Sequence, residues 1–249
     1  MSARRARSHA RRIALVCLVV SLFHAAFCLA DSPVAPAPAS ASRDEVLFYP
    51  PLDRSRSRPL FVMLHGMCGA PEHACPHFAS TISRLGWLVC PRAERACDGG
   101  GTTWSYRERE QTIERAVEHV RQQFPGEIDE STGRTLIGFS LGAFVASDVA
   151  QRADTPAQYR RVLLIGARVF PEAARLKRAG VARIALAAGQ YDMTYGHMSE
   201  QARRLARSGI PARFVDLGRV GHRFPADFAQ YLQETLSWLD APVADPPAS

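Results

Sequence analysis

A chain of 249 residues, 47 % apolar and 22 % charged, with 17 glycines and 17 prolines, can bury a full core and is neither a disordered nor a collagen-like polymer. No period repeats along it and no apolar run reaches the ~18 residues of a clear membrane span, which excludes solenoids and polytopic membrane proteins. The formal charge of +7 sits largely at the N-terminus: the first 30 residues hold five arginines and no acid, and without them 26 basic residues face 24 acidic ones. No basic stripe interleaved with aromatics then remains to track a nucleic acid.

In chain order, residues 1–30 have the three parts of a secretory signal: an arginine-rich start, an apolar run from Ile13 through Leu29, and small residues before Asp31. Export is the expectation, with an uncleaved membrane anchor as the alternative. Residues 31–42 are rich in proline, alanine and serine and read as a linker, the folded domain spans 43–240, and 241–249 reads as a loose tail. Within the domain, short apolar runs alternate with helical patterns. Strands are expected at Leu60–His65, Trp87–Cys90, Arg134–Phe139, Arg161–Ile165, Arg183–Ala188 and Ala212–Leu217, with Glu45–Tyr49 as an antiparallel edge. Helices are expected at Glu72–Leu85, Arg107–Phe124, Leu141–Arg152, Pro171–Arg178, Met198–Arg207 and Pro225–Leu239. This alternation predicts an α/β fold, a mostly parallel sheet with helices on both faces.

Four cysteines lie beyond the signal, in two equally spaced pairs: Cys68 with Cys75 and Cys90 with Cys97. An even number in an exported chain reads as two disulfides, each worth about 2–4 kcal/mol. Three pairings are possible, and the short loops favour Cys68–Cys75 and Cys90–Cys97. A metal site from His73, Cys75 and His77 matches no zinc spacing, so no metal is expected.

The sharpest signal is Gly138-Phe139-Ser140-Leu141-Gly142, between an expected strand and an expected helix. A serine hydroxyl becomes a nucleophile when a tight turn exposes it at a strand end within reach of a base, and the flanking glycines let that turn pack. In this context the chain from about Leu60 to Leu239 resembles the α/β-hydrolase family. The family's order of serine, acid and histidine recurs as Ser140, Asp192 in Gly189-Gln190-Tyr191-Asp192, and His222 after Gly221, both later residues following expected strands. The resemblance implies that His222 takes the proton of Ser140 and Asp192 holds the imidazole. His65-Gly66-Met67 resembles the family's turn after its third strand, which implies oxyanion donors at the backbone N–H groups of Met67 and Leu141, with His65 holding the loop and a bridged Cys68 bracing it.

Rival acids are placed less well, Asp216 in a strand and Asp148 in a helix. Trp104 and Tyr191 are the candidates for substrate contact, Trp104 alternatively being a packed aromatic. Gly99-Gly100-Gly101 lacks the ending of a phosphate loop, so no cofactor is implied. The expected activity is an exported serine hydrolase of carboxylic esters acting through an acyl-enzyme. Peptide, thioester, lipid or polyester cleavage on the same residues, or a binding protein on the scaffold, are the alternatives. Connections too short for a large cap imply an open site.

Overall fold

The computed structural model describes residues 46–152 and 157–242, so the stretches expected to be a signal, a linker and most of a loose tail lie outside the described residues. Among the described residues, ten strands run β1 Leu47–Tyr49, β2 Arg58–Leu64, β3 Trp87–Cys90, β4 Arg95–Ala96, β5 Thr102–Thr103, β6 Ile128–Asp129, β7 Arg134–Phe139, β8 Tyr159–Ile165, β9 Arg183–Ala188 and β10 Ala212–Asp216. The helices among these residues are α1 Pro71–Ala74, α2 Pro76–Ile82, α3 Arg109–Gln123, α4 Leu141–Val149, α5 Ala173–Arg178, α6 Tyr195–Arg207 and α7 Phe228–Asp240. No helix among the described residues is long and apolar enough to cross a membrane.

The main sheet has the order β1-β3-β2-β7-β8-β9-β10, parallel except for β1, which pairs antiparallel with β3 at the edge. The central strands are mostly apolar past their first residues because both faces are covered. Successive side chains go to opposite sides. Leu60, Val62 and Leu64 of β2, Val162 and Leu164 of β8, and Ile184 and Leu186 of β9 join one core with Ile113 and Val117 of α3, Ala146 of α4 and Leu205 of α6. Phe61 and Met63 of β2, Leu163 of β8 and Ala185 of β9 join the other, with Phe78 of α2 and Leu232 and Leu236 of α7.

Two expectations are corrected. The helix expected over Glu72–Leu85 is two short helices, because Pro76 has no N–H with which to continue α1 and instead starts α2. The disulfides are Cys68–Cys97 and Cys75–Cys90, with Cα separations of 5.7 and 6.5 Å, and not the local pairs. Cys75, at the junction of α1 and α2, is sealed in the same core as Cys90 at the end of β3. Cys68 is exposed on the loop after β2, against the β4–β5 hairpin that carries Cys97.

From β2 the chain moves outward to β3 and later returns to β7 on the opposite side of β2. The loops after β2 and β7 therefore part at the carboxyl edge of the sheet, where an open α/β sheet forms its crevice.

Candidate active site

Ser140 sits in that crevice, between the last residue of β7 and the first of α4, with φ 55° and ψ −120°. Its N–H donates to the Ile165 carbonyl at the end of β8 (2.9 Å). The two glycines of the pentapeptide are required by contact. A Cβ on Gly138 would lie 2.3 Å from the Gly142 carbonyl oxygen, and one on Gly142 would lie 2.1 Å from that of Leu64. The turn can press α4 against β2 only without side chains at both positions.

The loops after β9 and β10 bring the other two residues. Gln190 and Tyr191 donate their N–H groups to the carbonyls of Gly218 and Val220 (2.8 and 3.0 Å), and Gly189 leaves room for the Val220 carbonyl, 2.2 Å from where a Cβ would stand. His222 then reaches both neighbours. Its Nδ1–H donates to Asp192 Oδ2 (2.7 Å), and its Nε2 accepts from the Ser140 hydroxyl (2.9 Å). The Asp192 side chain is 5 % exposed and that of His222 46 %, so the acid is sealed beneath an imidazole open to solvent. Burial alone would raise the Asp192 pKa, but the N–H and hydroxyl of Thr194 on its Oδ1 (2.8 and 2.9 Å), together with His222, bring it below the ordinary carboxylate value. The ring of Phe139 stacks on His222, with centroids 4.9 Å apart, and Phe139 packs in turn on Phe224.

The loop after β2 passes Ser140: a Cβ on Gly66 would lie 3.2 Å from Ser140 Cβ. Met67 follows directly, and Leu141 opens α4, where a helix leaves its first N–H groups free. No backbone carbonyl among the described residues accepts the N–H of either. His65 is 1 % exposed. Its Nε2 accepts from the Ala93 N–H (3.2 Å), which leaves Nδ1–H to donate to the Gly66 carbonyl (2.8 Å), and burial holds its pKa below the ordinary imidazole value. His65 thus holds the loop.

Of the two candidates for substrate contact, Trp104 lies against the loop after β2. It is 7 % exposed and gives its indole N–H to the His65 carbonyl (2.8 Å), so it packs beneath the loop. Tyr191 is 68 % exposed beside Asp192. The rival acids are engaged elsewhere: Asp216 accepts from Gln190, Tyr195 and the Gly218 N–H, and Asp148 pairs with Arg109 and Arg152. His197 lies against the Val169 carbonyl.

Two participants escaped the sequence reading. Thr194, two residues after Asp192, fixes the carboxylate in a short Asx-type turn that an Asp-x-Thr spacing could have suggested. Gly166 carries no motif. At φ 63°, just past β8, its missing Cβ would lie 3.1 Å from His222 Nδ1 and 3.2 Å from Asp192 Oδ2. Its N–H is anchored on the Ala187 carbonyl (2.9 Å).

No protein-family model and no curated protein sequence matches the chain. Solved structures do. Esterase PE8 shares 17 % identity over 78 % of this chain and 98 % of its own, with a TM-score of 0.59. The fluorophosphonate-binding serine hydrolase F of Staphylococcus aureus shares 12 % over 79 % and 92 %, with a TM-score of 0.60. An S-formylglutathione hydrolase from Agrobacterium tumefaciens shares 14 % over 78 % and 87 %, with a TM-score of 0.57. These similarities agree with the sheet order and the turn at Ser140: the chain has the α/β-hydrolase fold.

Proposed function

We propose that this protein is a serine hydrolase that cleaves carboxylic esters through an acyl-enzyme. The observation that carries the reading is the continuous hydrogen-bonded line from Ser140 through His222 to Asp192. As the Ser140 oxygen attacks the acyl carbonyl, its proton passes to His222 Nε2, and Asp192 fixes the tautomer and stabilises the imidazolium. The proton then goes to the leaving alcohol. Water, deprotonated by the same nitrogen, resolves the acyl-enzyme. The N–H groups of Met67 and Leu141 receive the oxyanion, since Met67 follows Gly66, which packs on Ser140, Leu141 follows Ser140 itself, and no backbone carbonyl among the described residues takes either N–H.

Exposed apolar side chains favour an ester with an apolar part. Met67 after β2, Phe144 one helical turn beyond Ser140, Phe170 after β8, and Tyr191 and Met193 after β9 are all exposed and lie at the carboxyl edge of the sheet or on the helix that starts there. The named activities of the similar structures, esterase and serine hydrolase, agree with the chemistry. Two disulfides and the N-terminal signal pattern support export, since such bonds persist in oxidising compartments.

Labelling with a fluorophosphonate tests the reading. The folded protein should be modified at Ser140 and should turn over p-nitrophenyl esters, while Ser140→Ala should show neither. An unlabelled native protein would indicate a scaffold without the activity.

A further inference from the structure

The two disulfides differ in where they lie. Cys75 and Cys90 are both 0 % exposed, locked in the core under the sheet edge. Cys68 is exposed and Cys97 half-buried, and Cys68 directly follows Met67. The backbone around Cys68 needs holding. Its φ is 50°, a left-handed conformation that an L side chain adopts only at a cost. The Gly69 N–H turns back to the Gly66 carbonyl (3.1 Å), and the Gly69 carbonyl accepts the Thr102 N–H (2.8 Å). Gly101, at φ 71°, passes so close that a Cβ there would lie 2.3 Å from the Cys68 carbonyl oxygen, and the Gly101 carbonyl accepts the Cys97 N–H (3.1 Å). The hairpin on the far side of this contact has only two residues in each strand. So short a ladder is marginal by itself. The covalent bond adds to the Gly69–Thr102 hydrogen bond in securing the loop after β2 to it.

We propose that Cys68–Cys97 is a reducible brace that positions the Met67 N–H for the oxyanion, so that the enzyme works when this bond is closed and slows when a dithiol opens it. This rests on the serine-hydrolase reading above. A thiolate of the dithiol attacks the sulfur of exposed Cys68, forming a mixed disulfide and releasing the Cys97 thiolate. The second thiol of the reductant then displaces Cys68. Two electrons and two protons pass to the protein, leaving two cysteine thiols and an oxidised dithiol. Cys75–Cys90 is shielded from the same attack. With the brace open, Cys68 is free to leave its left-handed conformation and the Met67 N–H moves with it. That costs stabilisation of the tetrahedral intermediate while leaving substrate binding largely intact.

The test uses the full folded protein, a p-nitrophenyl ester, a boronic acid that forms a tetrahedral adduct with serine, and circular dichroism as the monitor of fold. After mild dithiothreitol treatment, alkylation and peptide mapping should find Cys68 and Cys97 modified and Cys75 and Cys90 still joined. At that point kcat should be about tenfold lower, KM within about twofold, and boronate affinity down by the factor lost in kcat, less than the loss seen on deleting an oxyanion donor outright. Cys68→Ser/Cys97→Ser should behave as the reduced protein, and Cys75→Ala/Cys90→Ala should lower the melting temperature with kcat unchanged. Where the first double variant does not fold, the reduction of the native protein decides alone. Unchanged kcat and boronate affinity with Cys68–Cys97 demonstrably open overturn the brace alone. If the oxidised protein neither reacts with a fluorophosphonate nor turns over ester, the serine-hydrolase reading itself fails and the brace with it.

Discussion

Ser140 stores backbone strain so that its hydroxyl can stand clear of the sheet. A non-glycine residue at φ 55° and ψ −120° costs about 1–3 kcal/mol, held here by the Ile165 carbonyl and by the packing of Gly138 on Gly142. The strain can be separated from the chemistry. Ser140→Ala removes the hydroxyl and keeps the strain, whereas Ser140→Gly removes both. Glycine loses about 0.5–1 kcal/mol more to chain entropy on folding, less than the strain it relieves. Ser140→Gly should therefore be the more stable of two inactive proteins, melting about 2–4 °C above Ser140→Ala. A glycine variant that melts at or below the alanine variant would mean that the turn is not strained. At this scale the sequence was informative where a motif fixes both residue type and backbone, as at Gly138, Ser140 and Gly142. It left Trp104 open, because a tryptophan that lines a pocket and one that donates to a buried carbonyl are the same letter.

Strands buried on both faces were legible because each is built on an apolar run: Trp87–Cys90 and Arg183–Ala188 match their expected limits, and the antiparallel edge at Leu47–Tyr49 falls within its expected segment. The two-residue strands β4, β5 and β6 were not, since two residues carry no periodicity. Disulfide pairing was illegible for a related reason. Cys75 meets Cys90 because the α1–α2 junction packs on the same sheet face as the end of β3, and that is a fact of packing, not of spacing. The ends of strands hold what the motifs leave out. Past β8, Gly166 gives its place to the His222–Asp192 pair, and alanine there would meet two penalties, the left-handed φ of 63° and a Cβ about 0.3 Å tighter than ordinary contact with the imidazole. His222 is the exposed and movable partner, so it should yield, lengthening its bonds to Ser140 or Asp192. Gly166→Ala should lower kcat about tenfold or more with little change in KM, because misplacement of reacting groups acts on the chemical step. Steady-state kinetics on the folded variant would show it, and an unchanged kcat would remove Gly166 from the positioning of the pair.

For the molecule as a whole, the groups that hold the site together also set its response to acid. His65 is kept neutral first by burial and secondarily by the charge of Arg92, against the opposing pull of the Gly66 carbonyl, Glu72 and Glu94, so its folded pKa lies below the ordinary value. In the unfolded chain it takes a proton near pH ~6.5. The native state binds fewer protons below that point, so the stability His65 confers is complete above it and is lost as pH falls toward its folded pKa, at up to about 1.4 kcal/mol per pH unit. Asp192, also depressed, has the same sign in a lower window: its contribution is complete above the ordinary carboxylate pKa of about 4 and disappears as pH falls through its folded value. Urea midpoints measured from pH 8 to pH 5 should therefore decline in the native protein, where the carboxylate is still ionised and His65 supplies part of the slope. His65→Gln removes that titration, and its decline over the same range should be shallower, though not absent, because burial also lowers the pKa of His77. Parallel curves for the two proteins would mean that His65 is not held neutral in the fold, and the loop it ties to Gly66 and Ala93 would then need another anchor.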